Sequence, residues 1–146
     1  MIIEIVCHAN VCRSPVAAAL LQSQTGLQVR SSGLHASSGQ LADPNMVEML
    51  DNEFPSLRTH RASRFDVEIA RSAELILVME VAQKTQIVSA IPQAAGKTML
   101  FGHWLDDQRE IEDPYGREPA VYLDAIARLR SAASAWTERL SGAAKR

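Results

Sequence analysis

The chain has 146 residues, an apolar fraction of 47% and a charged fraction of 22%, which is ordinary for one soluble globular domain over residues 1–146. Its formal net charge of -2 gives no basic field, so we expect neither nucleic acid nor an anionic membrane as its main partner. The only two cysteines, Cys7 and Cys12, lie in one short stretch and cannot form the disulfide framework of a small secreted protein.

Strand and helix patterns alternate along the first half of the chain. A near-continuous apolar run over 2–6 predicts a central strand covered on both faces. The remaining predictions are, in order, a helix from Pro15 to Gly26, a short strand over 27–31, a small and polar loop over 35–42, and a helix with Asp43 as its N-cap.

The second half continues the alternation. Its predicted parts are a basic connection over 54–64, a short helix near 65–71, an apolar strand over 75–79, a helix over 81–91, a strand over 97–101 and a polar loop over 102–116. A final helix from about Pro119 has the clearest apolar periodicity in the chain, and we expect residues 141–146 to fray.

This order predicts an α/β fold, a three-layer sandwich in which a four-stranded parallel sheet has helices on both faces. Ligands bind such sheets at the carboxyl ends of the strands, and Cys7 closes the first strand. No basic-then-apolar leader precedes Ile2, and no apolar run approaches the length of a membrane span. We therefore expect a cytoplasmic protein without an integral membrane segment.

The stretch from Cys7 to Pro15 has the features of an anion site with a nucleophile in its floor. Successive backbone N–H groups of such a turn can converge on one anion, and the following helix adds its positive end, which favours a thiolate at Cys7. The planar guanidinium of Arg13 matches two phosphate oxygens. The candidate phosphate-binding residues are His8, Ala9, Asn10, Val11, Cys12, Arg13 and Ser14.

Thiolate attack by Cys7 on a phosphate ester makes a cysteinyl-phosphate and needs neither a metal nor a cofactor. The leaving group must then be protonated, and Asp113 in Asp-Pro-Tyr is the candidate general acid. As a carboxylate, Asp113 would next activate the water that hydrolyses the intermediate. Asp-Pro is also a common turn opener, so this role depends on the cysteine loop. Ser14 can cap the helix or donate to the Cys7 sulfur.

The cysteine stretch resembles the signature of the low-molecular-weight protein tyrosine phosphatases, V-C-x-G-N-x-C-R-S-P. This sequence departs once, because Ala9 stands where the family has glycine. A methyl group there could crowd the loop or the bound phosphate, which leaves its effect on rate open. Asp-Pro-Tyr at 113–115 resembles the family's second signature, and the resemblance covers essentially the whole chain.

The resemblance implies further roles. A hydrogen-bond network is expected behind the loop, formed by Asn10, Ser14, Ser32 and His60. Cys12 resembles the position that captures an oxidised nucleophile as a reversible disulfide, and a small buried packing residue is the alternative. Tyr115 and His8 are expected to form walls of the substrate pocket, where an aromatic face can stack on a flat leaving group.

The rim over 35–42 lacks the aromatic residue of animal relatives. This feature, Leu-Phe-Gly-His-Trp at 100–104 and Glu-Asp-Pro-Tyr-Gly at 112–116 resemble the sequences of the bacterial branch of the family. That branch implies a phosphotyrosine protein as the partner, namely an autophosphorylating tyrosine kinase that governs exopolysaccharide synthesis or export.

Four alternatives are less favoured by the sequence. A thioredoxin-coupled arsenate reductase needs cysteines downstream of the loop, and none follows Cys12. A phosphoarginine phosphatase carries threonine where this chain has Val11. A phosphotyrosine-binding module without turnover is favoured only by Ala9. A metal enzyme is not expected, since the four histidines are scattered without ligand spacing. His103 and Trp104 are as consistent with a loop anchor as with a site.

Overall fold

The computed structural model describes the backbone of residues 1–144 and the side chains of 1–141. Its strands are β1 (Ile2–Cys7), β2 (Gln28–Gly33), β3 (Leu75–Val78) and β4 (Thr98–Leu100). All neighbouring strands are parallel, in the order β2-β1-β3-β4. The strand order changes direction between β1 and β3, and such a switch point is where open α/β sheets bind ligands.

Five helices accompany the sheet: α1 (Arg13–Thr25), α2 (Pro44–Leu50), α3 (Val67–Ser72), α4 (Val81–Ala90) and α5 (Pro119–Ala144). Two 3-10 helices, Pro55–Thr59 and Pro92–Lys97, lie in the connections before α3 and β4. In the described part of the chain, no helix is both long and apolar enough to cross a membrane.

Apolar side chains cover both faces of the sheet, because successive residues of a strand point to opposite faces. Ile3 and Ile5 of β1 belong to a buried cluster that includes residues of α1 and α5. Val6 belongs to a second cluster on the other face, together with residues of β3, α3 and α4. The predicted three-layer α/β sandwich with a four-stranded parallel sheet is confirmed.

Most predicted boundaries differ from the structure by one or two residues, and the differences in α1, β2 and α5 are the clearest. Helix α1 begins at Arg13 and not at Pro15, and β2 continues to Gly33. Helix α5 runs to Ala144, so residues 141–144 are helical where fraying was expected. The same expectation for residues 145 and 146 lies outside the described residues.

Candidate active site

The loop between β1 and α1 contains a left-handed residue where the sequence places asparagine. Asn10 has a φ of 57° and is the only non-glycine residue with a positive φ in the described backbone. Asparagine adopts this conformation more readily than most residues. Ala9 is outside this region, so the residue that replaces the family's glycine takes its place without left-handed strain.

The predicted network behind the loop centres on Asn10. Its side-chain nitrogen donates to Ser14 Oγ at 2.8 Å, and its side-chain oxygen accepts from the backbone N–H of Ser63 at 2.9 Å. His60 Nε2 lies 2.8 Å from the Asn10 carbonyl oxygen. Asn10, Ser14 and His60 are therefore brought together, and Ser63 joins them.

Ser32 takes part differently from the prediction. Its hydroxyl donates to Glu4 Oε2 of β1 at 2.7 Å. Only its backbone carbonyl oxygen faces Ser14 Oγ, at 3.5 Å. In a strand, the carbonyl oxygen of a residue lies in the plane of the sheet and its side chain points out of that plane. The carbonyl oxygen and the hydroxyl of Ser32 therefore reach different partners. The hydroxyl of Ser32 is not a member of the loop network.

Two polar groups contact the sulfur of Cys7, whose side chain is buried. Ser14 Oγ lies 2.9 Å from Cys7 Sγ, and the backbone N–H of Asn10 points at the same sulfur with an N–S distance of 3.3 Å. Ser14 lies in the first turn of α1, and no side chain caps this helix. Of the two roles considered for Ser14, the structure shows the contact with sulfur.

Arg13 is 1% exposed and is held by groups that follow other strands. Its Nη1 donates to Glu80 Oε1 at 2.9 Å and to the Ile111 carbonyl oxygen at 2.7 Å. Its Nη2 lies 3.6 Å from Asp113 Oδ2. Its Nε is buried and has no hydrogen-bond partner among the described residues. The guanidinium is thus fixed in place while its buried Nε donor is unused.

Cys12 is buried in the same loop and differs chemically from Cys7. Burial raises the pKa of the Cys12 thiol well above its usual range, and the nearby carboxylates of Asp43 and Asp113 raise it further. The thiol therefore stays protonated at neutral pH, and protonated thiols are poor nucleophiles.

The loop before α5 carries the predicted acid. The Asp113 side chain is 39% exposed, and its Oδ1 accepts from the backbone N–H of Tyr115 at 3.1 Å. This Asx turn leaves Oδ2 directed at Arg13. The backbone N–H of Gly116 donates to the Tyr122 hydroxyl at 3.3 Å, which in turn donates to the buried carboxylate of Asp43. The acid loop is thereby tied to the start of α2.

A cavity of about 310 Å³ opens over the cysteine loop. Tyr115, which is 57% exposed, and His8 both line it, as predicted for pocket walls. The ring of His8 lies against that of His35, with centroids 4.8 Å apart. The residues that line the cavity are Cys7, His8, Ala9, Val11, Cys12, Gln40, Asp113 and Tyr115.

Sequence reasoning missed Glu80, Gln40, Tyr122 and Gly33 as residues of the site. Glu80 follows the predicted apolar strand over 75–79, and a carboxylate directly after a parallel strand is a signal that was available. Gly33 brings β2 against the loop: a Cβ there would lie 2.8 Å from the Asn10 nitrogen and the His8 oxygen. No local pattern reveals such an approach, because it joins elements distant in sequence.

His103 and Trp104 lie away from the cavity. The Trp104 ring contacts Trp136 of α5 at a centroid distance of 5.7 Å, and the Arg139 guanidinium lies 4.0 Å over it. Burial lowers the pKa of His103, and the charges of Arg109, Lys84 and Arg139 lower it further. Of the two interpretations of this pair, the structure supports the loop anchor.

The sheet and the cysteine–arginine loop at its carboxyl edge place the chain among α/β proteins that bind an anion at the first strand-to-helix turn. Within this class, residues 2–146 match the family described as low molecular weight phosphotyrosine protein phosphatase. The chain belongs to this family and is thus a hydrolase of the low molecular weight protein-tyrosine-phosphatase type. The resemblance seen in the sequence is confirmed.

Three relatives illustrate the range of similarity. The low molecular weight protein-tyrosine-phosphatase Etp of Escherichia coli K12 is 37% identical, covering 95% of this chain and 94% of that protein. The crystal structure of the tyrosine phosphatase Wzb from Escherichia coli K30 with sulphate is 36% identical, with a TM-score of 0.90 and coverage of 95% and 97%. The arginine phosphatase YwlE from Geobacillus stearothermophilus is 31% identical, with a TM-score of 0.86 and coverage of 97% and 93%.

Proposed function

We propose that this chain hydrolyses phosphotyrosine in proteins through a phosphoryl group carried on Cys7. The observation that carries the proposal is Arg13 Nε, which is buried and unpartnered among the described residues while Nη1 of the same guanidinium is held by Glu80. A buried donor without a partner is costly, and a phosphate oxygen would satisfy it with a charge-assisted bond. The tyrosine phosphatase Wzb, whose fold this chain shares, has been crystallised in complex with sulphate, an anion of the same shape as phosphate.

In the first half-reaction, the Cys7 sulfur forms a bond to phosphorus as the bond from phosphorus to the phenolic oxygen breaks. Asp113 Oδ2 lies on the cavity side near Arg13 and gives its proton to the leaving oxygen. Backbone N–H groups of the loop and Arg13 stabilise the charge that develops on the phosphoryl oxygens.

In the second half-reaction, the Asp113 carboxylate takes a proton from water while the oxygen of that water attacks phosphorus. The bond from phosphorus to sulfur breaks, and inorganic phosphate leaves. Ser14 Oγ, 2.9 Å from Cys7 Sγ, donates a hydrogen bond to the departing thiolate. Microscopic reversibility gives Asp113 the acid role in one step and the base role in the other.

The walls of the cavity favour an aromatic ester as the substrate. Tyr115 and His8 can stack on a flat leaving group, and a nucleophile at the bottom of a pocket excludes the shorter phosphoserine. The fold is shared with an arginine phosphatase, but Val11 is apolar and lines this cavity. An apolar group there disfavours a charged guanidinium, so phosphotyrosine is the better candidate.

The protein partner is proposed from the bacterial branch that the sequence resembles. We expect a cytoplasmic phosphotyrosine protein, namely an autophosphorylating tyrosine kinase that controls exopolysaccharide synthesis or export. Dephosphorylation of that kinase by this chain, compared with an unrelated phosphotyrosine protein at equal concentration, tests the assignment. Equal rates on both would argue against a dedicated partner.

Cys12 retains two interpretations, a redox partner of Cys7 and a packing residue. Its raised pKa makes it a poor attacking thiol, which favours the packing role. Peroxide treatment followed by a reductant separates the two. Recovery of activity in the wild type and loss of recovery in Cys12→Ser support the redox role, whereas equal recovery supports packing.

Hydrolysis of an aryl phosphate in the presence of EDTA and a reductant tests the proposed function. We expect turnover by the wild type and none by Cys7→Ser, because a serine hydroxyl is a far weaker nucleophile at neutral pH. Asp113→Ala should lose activity by about 10²- to 10⁴-fold, more strongly with a poor leaving group than with p-nitrophenol. An inactive wild type would favour the phosphate-binding module, and reversion of Ala9 to glycine would then be the next variant.

A further inference from the structure

A second groove, of about 340 Å³, lies between the segment before α3 and helix α4. We call it the flanking groove. It is lined by both apolar and polar side chains; the apolar ones are Leu34, Phe65, Val67, Ile87, Ala90 and Ile91, and the polar ones are Arg64, Asp66 and Gln86. Val67 is 42% exposed although it is apolar. The backbone N–H of Phe65 donates to the Gly33 carbonyl oxygen at 2.9 Å, so the groove wall is fixed to the end of β2.

Two side-chain contacts connect the lining of the flanking groove to that of the catalytic cavity. His8 lines the cavity, and its ring lies 4.8 Å from that of His35. His35 Nε2 lies 3.3 Å from Gln86 Nε2, and Gln86 lines the groove. Leu34, the neighbour of His35 in sequence, lines the groove as well. Two successive side-chain contacts, His8 with His35 and His35 with Gln86, thus link the cavity that contains Cys7 to the flanking groove.

The groove also has an available cation. Arg64 lines it, is exposed, and has no hydrogen-bond or ion-pair partner among the described residues. The one carboxylate at the groove, Asp66, is directed at the backbone N–H of Ile69, which donates to it at 2.8 Å as the N-terminal cap of α3. This surface therefore complements a ligand that carries an acidic group next to an apolar group, the acidic group facing Arg64.

We propose that the flanking groove binds the substrate polypeptide on one side of the phosphotyrosine, taking an apolar side chain that has an acidic neighbour. This inference rests on the proposed function. An extended chain rises about 3.3 Å per residue, and the path crosses the His8, His35 and Gln86 side chains. The apolar residue is therefore about three to five positions from the phosphotyrosine. The groove sets which sequences are preferred and takes no part in the chemical step.

Phosphotyrosyl peptides test the proposal, with leucine placed in turn at each of the five positions on either side in an otherwise Ser/Gly background. We expect leucine at one or two adjacent positions, on one side only, to raise kcat/KM about tenfold over serine. A glutamate beside that leucine should raise it further. Val67→Ser should abolish the leucine effect, and Arg64→Ala should abolish the glutamate effect.

Two residues outside the groove supply controls. Met49→Ser on α2 and Arg130→Ala on α5 remove the same kinds of side chain and should leave both peptide effects intact. Aryl phosphate has no flanking chain, so its hydrolysis should be equal in the wild type, Val67→Ser and Arg64→Ala. A variant that hydrolyses aryl phosphate normally but has lost a peptide preference is therefore defective in peptide recognition and not in folding.

The outcomes distinguish the groove from the proposed function. Hydrolysis of aryl phosphate with no dependence on any flanking position overturns the groove and leaves the phosphatase assignment standing. No hydrolysis of aryl phosphate overturns both. A dimer in sedimentation that Val67→Ser dissociates, with a flat peptide profile, would make a second copy of the chain the occupant and would also overturn the proposal.

Discussion

At the scale of single residues, Arg13 connects the nucleophile loop to the strand that neighbours β1. Its charge is buried, and its Nη1 is held by Glu80 at 2.9 Å, a residue that follows β3. A buried charge needs fixed partners, and Glu80 fixes the direction in which the remaining guanidinium donors point. The orientation of the Arg13 guanidinium therefore depends on a residue outside the cysteine loop.

Glu80→Ala should lower kcat/KM for an aryl phosphate by about tenfold, since a charge-assisted hydrogen bond that positions a catalytic group is lost. Glu80→Gln should lose less, because its amide oxygen can still accept from Arg13. Steady-state kinetics measure both. Glu68→Ala, which removes an exposed carboxylate paired with Arg71, is the control and should keep wild-type rates. Wild-type kinetics in Glu80→Ala would show that Arg13 needs no help from β3.

The sequence was most informative at this scale. Cys7, Arg13 and Asp113 could be proposed because each chemistry requires a particular residue type. The structure places Cys7 and Asp113 in the lining of one cavity, with Arg13 Nη2 3.6 Å from Asp113 Oδ2. The roles of Glu80 and Ser32 could not be predicted from the sequence. Whether a strand residue points its side chain or its carbonyl oxygen at a loop depends on register and pleat, which the local sequence does not record.

At the scale of elements, the end of β2 supports the cysteine loop by close approach. The backbone N–H of His35 donates to the His8 carbonyl oxygen at 2.8 Å, and Leu34 N–H donates to the Cys7 carbonyl oxygen at 3.0 Å. Gly33 precedes both and has no room for a side chain. The shape of the anion loop thus depends on a neighbouring strand as well as on its own sequence.

Gly33→Ala should destabilise the protein by about 1–3 kcal/mol, because its Cβ would meet backbone atoms that cannot move separately. Activity should fall as well, since the atoms displaced belong to His8, Ala9 and Asn10. Urea denaturation and aryl phosphate kinetics measure the two effects. Gly96→Ala is the matched control, because a Cβ there meets nothing within 4 Å. Equal stability of the two variants would contradict the close approach.

Helix α5 holds the acid loop through Tyr122. The hydroxyl donates to Asp43, which is 3% exposed, and accepts from the Gly116 N–H. Burial and the Asp43 hydrogen bond raise the pKa of Tyr122, so the phenol stays protonated and keeps donating. The apolar periodicity of the last helix placed Tyr122 on the buried face, but periodicity does not show the partner of a buried hydroxyl.

Tyr122→Phe should destabilise the fold by about 1–3 kcal/mol, because the Asp43 carboxylate loses a buried hydrogen-bond donor. It should also lower kcat more for poor leaving groups than for p-nitrophenol, since Asp113 lies on the loop that Tyr122 holds. A leaving-group series measures this second effect, which a merely structural role would not produce. An equal loss of kcat for all leaving groups would show that Tyr122 does not position the acid loop.

At the scale of the whole molecule, the central strand carries a buried carboxylate. Glu4 of β1 is 1% exposed and bonds Arg30 at 2.9 Å and Ser32 at 2.7 Å. Burial raises the pKa of Glu4, whereas the hydrogen bond from Ser32 and the charge of Arg30 oppose the rise. Strand β1 was predicted from its apolar residues, but the partners of Glu4 lie on β2 and could not be assigned from sequence.

The stability of the sheet should therefore depend on pH through Glu4. With a folded pKa above the ordinary value of 4.5, its favourable contribution is complete below that value and is lost as the pH rises through the folded pKa. The free energy of unfolding of the wild type, relative to Glu4→Gln, should decrease from about pH 4.5 towards neutrality. Urea denaturation across this range measures it, with exposed Glu48→Gln as the control; an increase would contradict the raised pKa.

The order of strand and helix patterns was enough to predict the layered fold, since alternation and apolar runs leave few other arrangements. The sheet order β2-β1-β3-β4 was not predicted in the sequence, because it depends on pairings between distant segments. It decides which strand ends meet at the site, and hence that Glu80 reaches Arg13 and that Asp113 lines the cavity together with Cys7.

The central claim is that the phosphoryl group passes through Cys7. The direct measurement is the intact mass of Asp113→Ala after acid quenching of its reaction with p-nitrophenyl phosphate, a substrate whose leaving group needs little protonation. We expect the mass of one added phosphoryl group, located on Cys7 by peptide mapping, because the variant lacks the base that hydrolyses the intermediate. Release of p-nitrophenol with no phosphoryl adduct on Cys7 at any quench time would contradict the account.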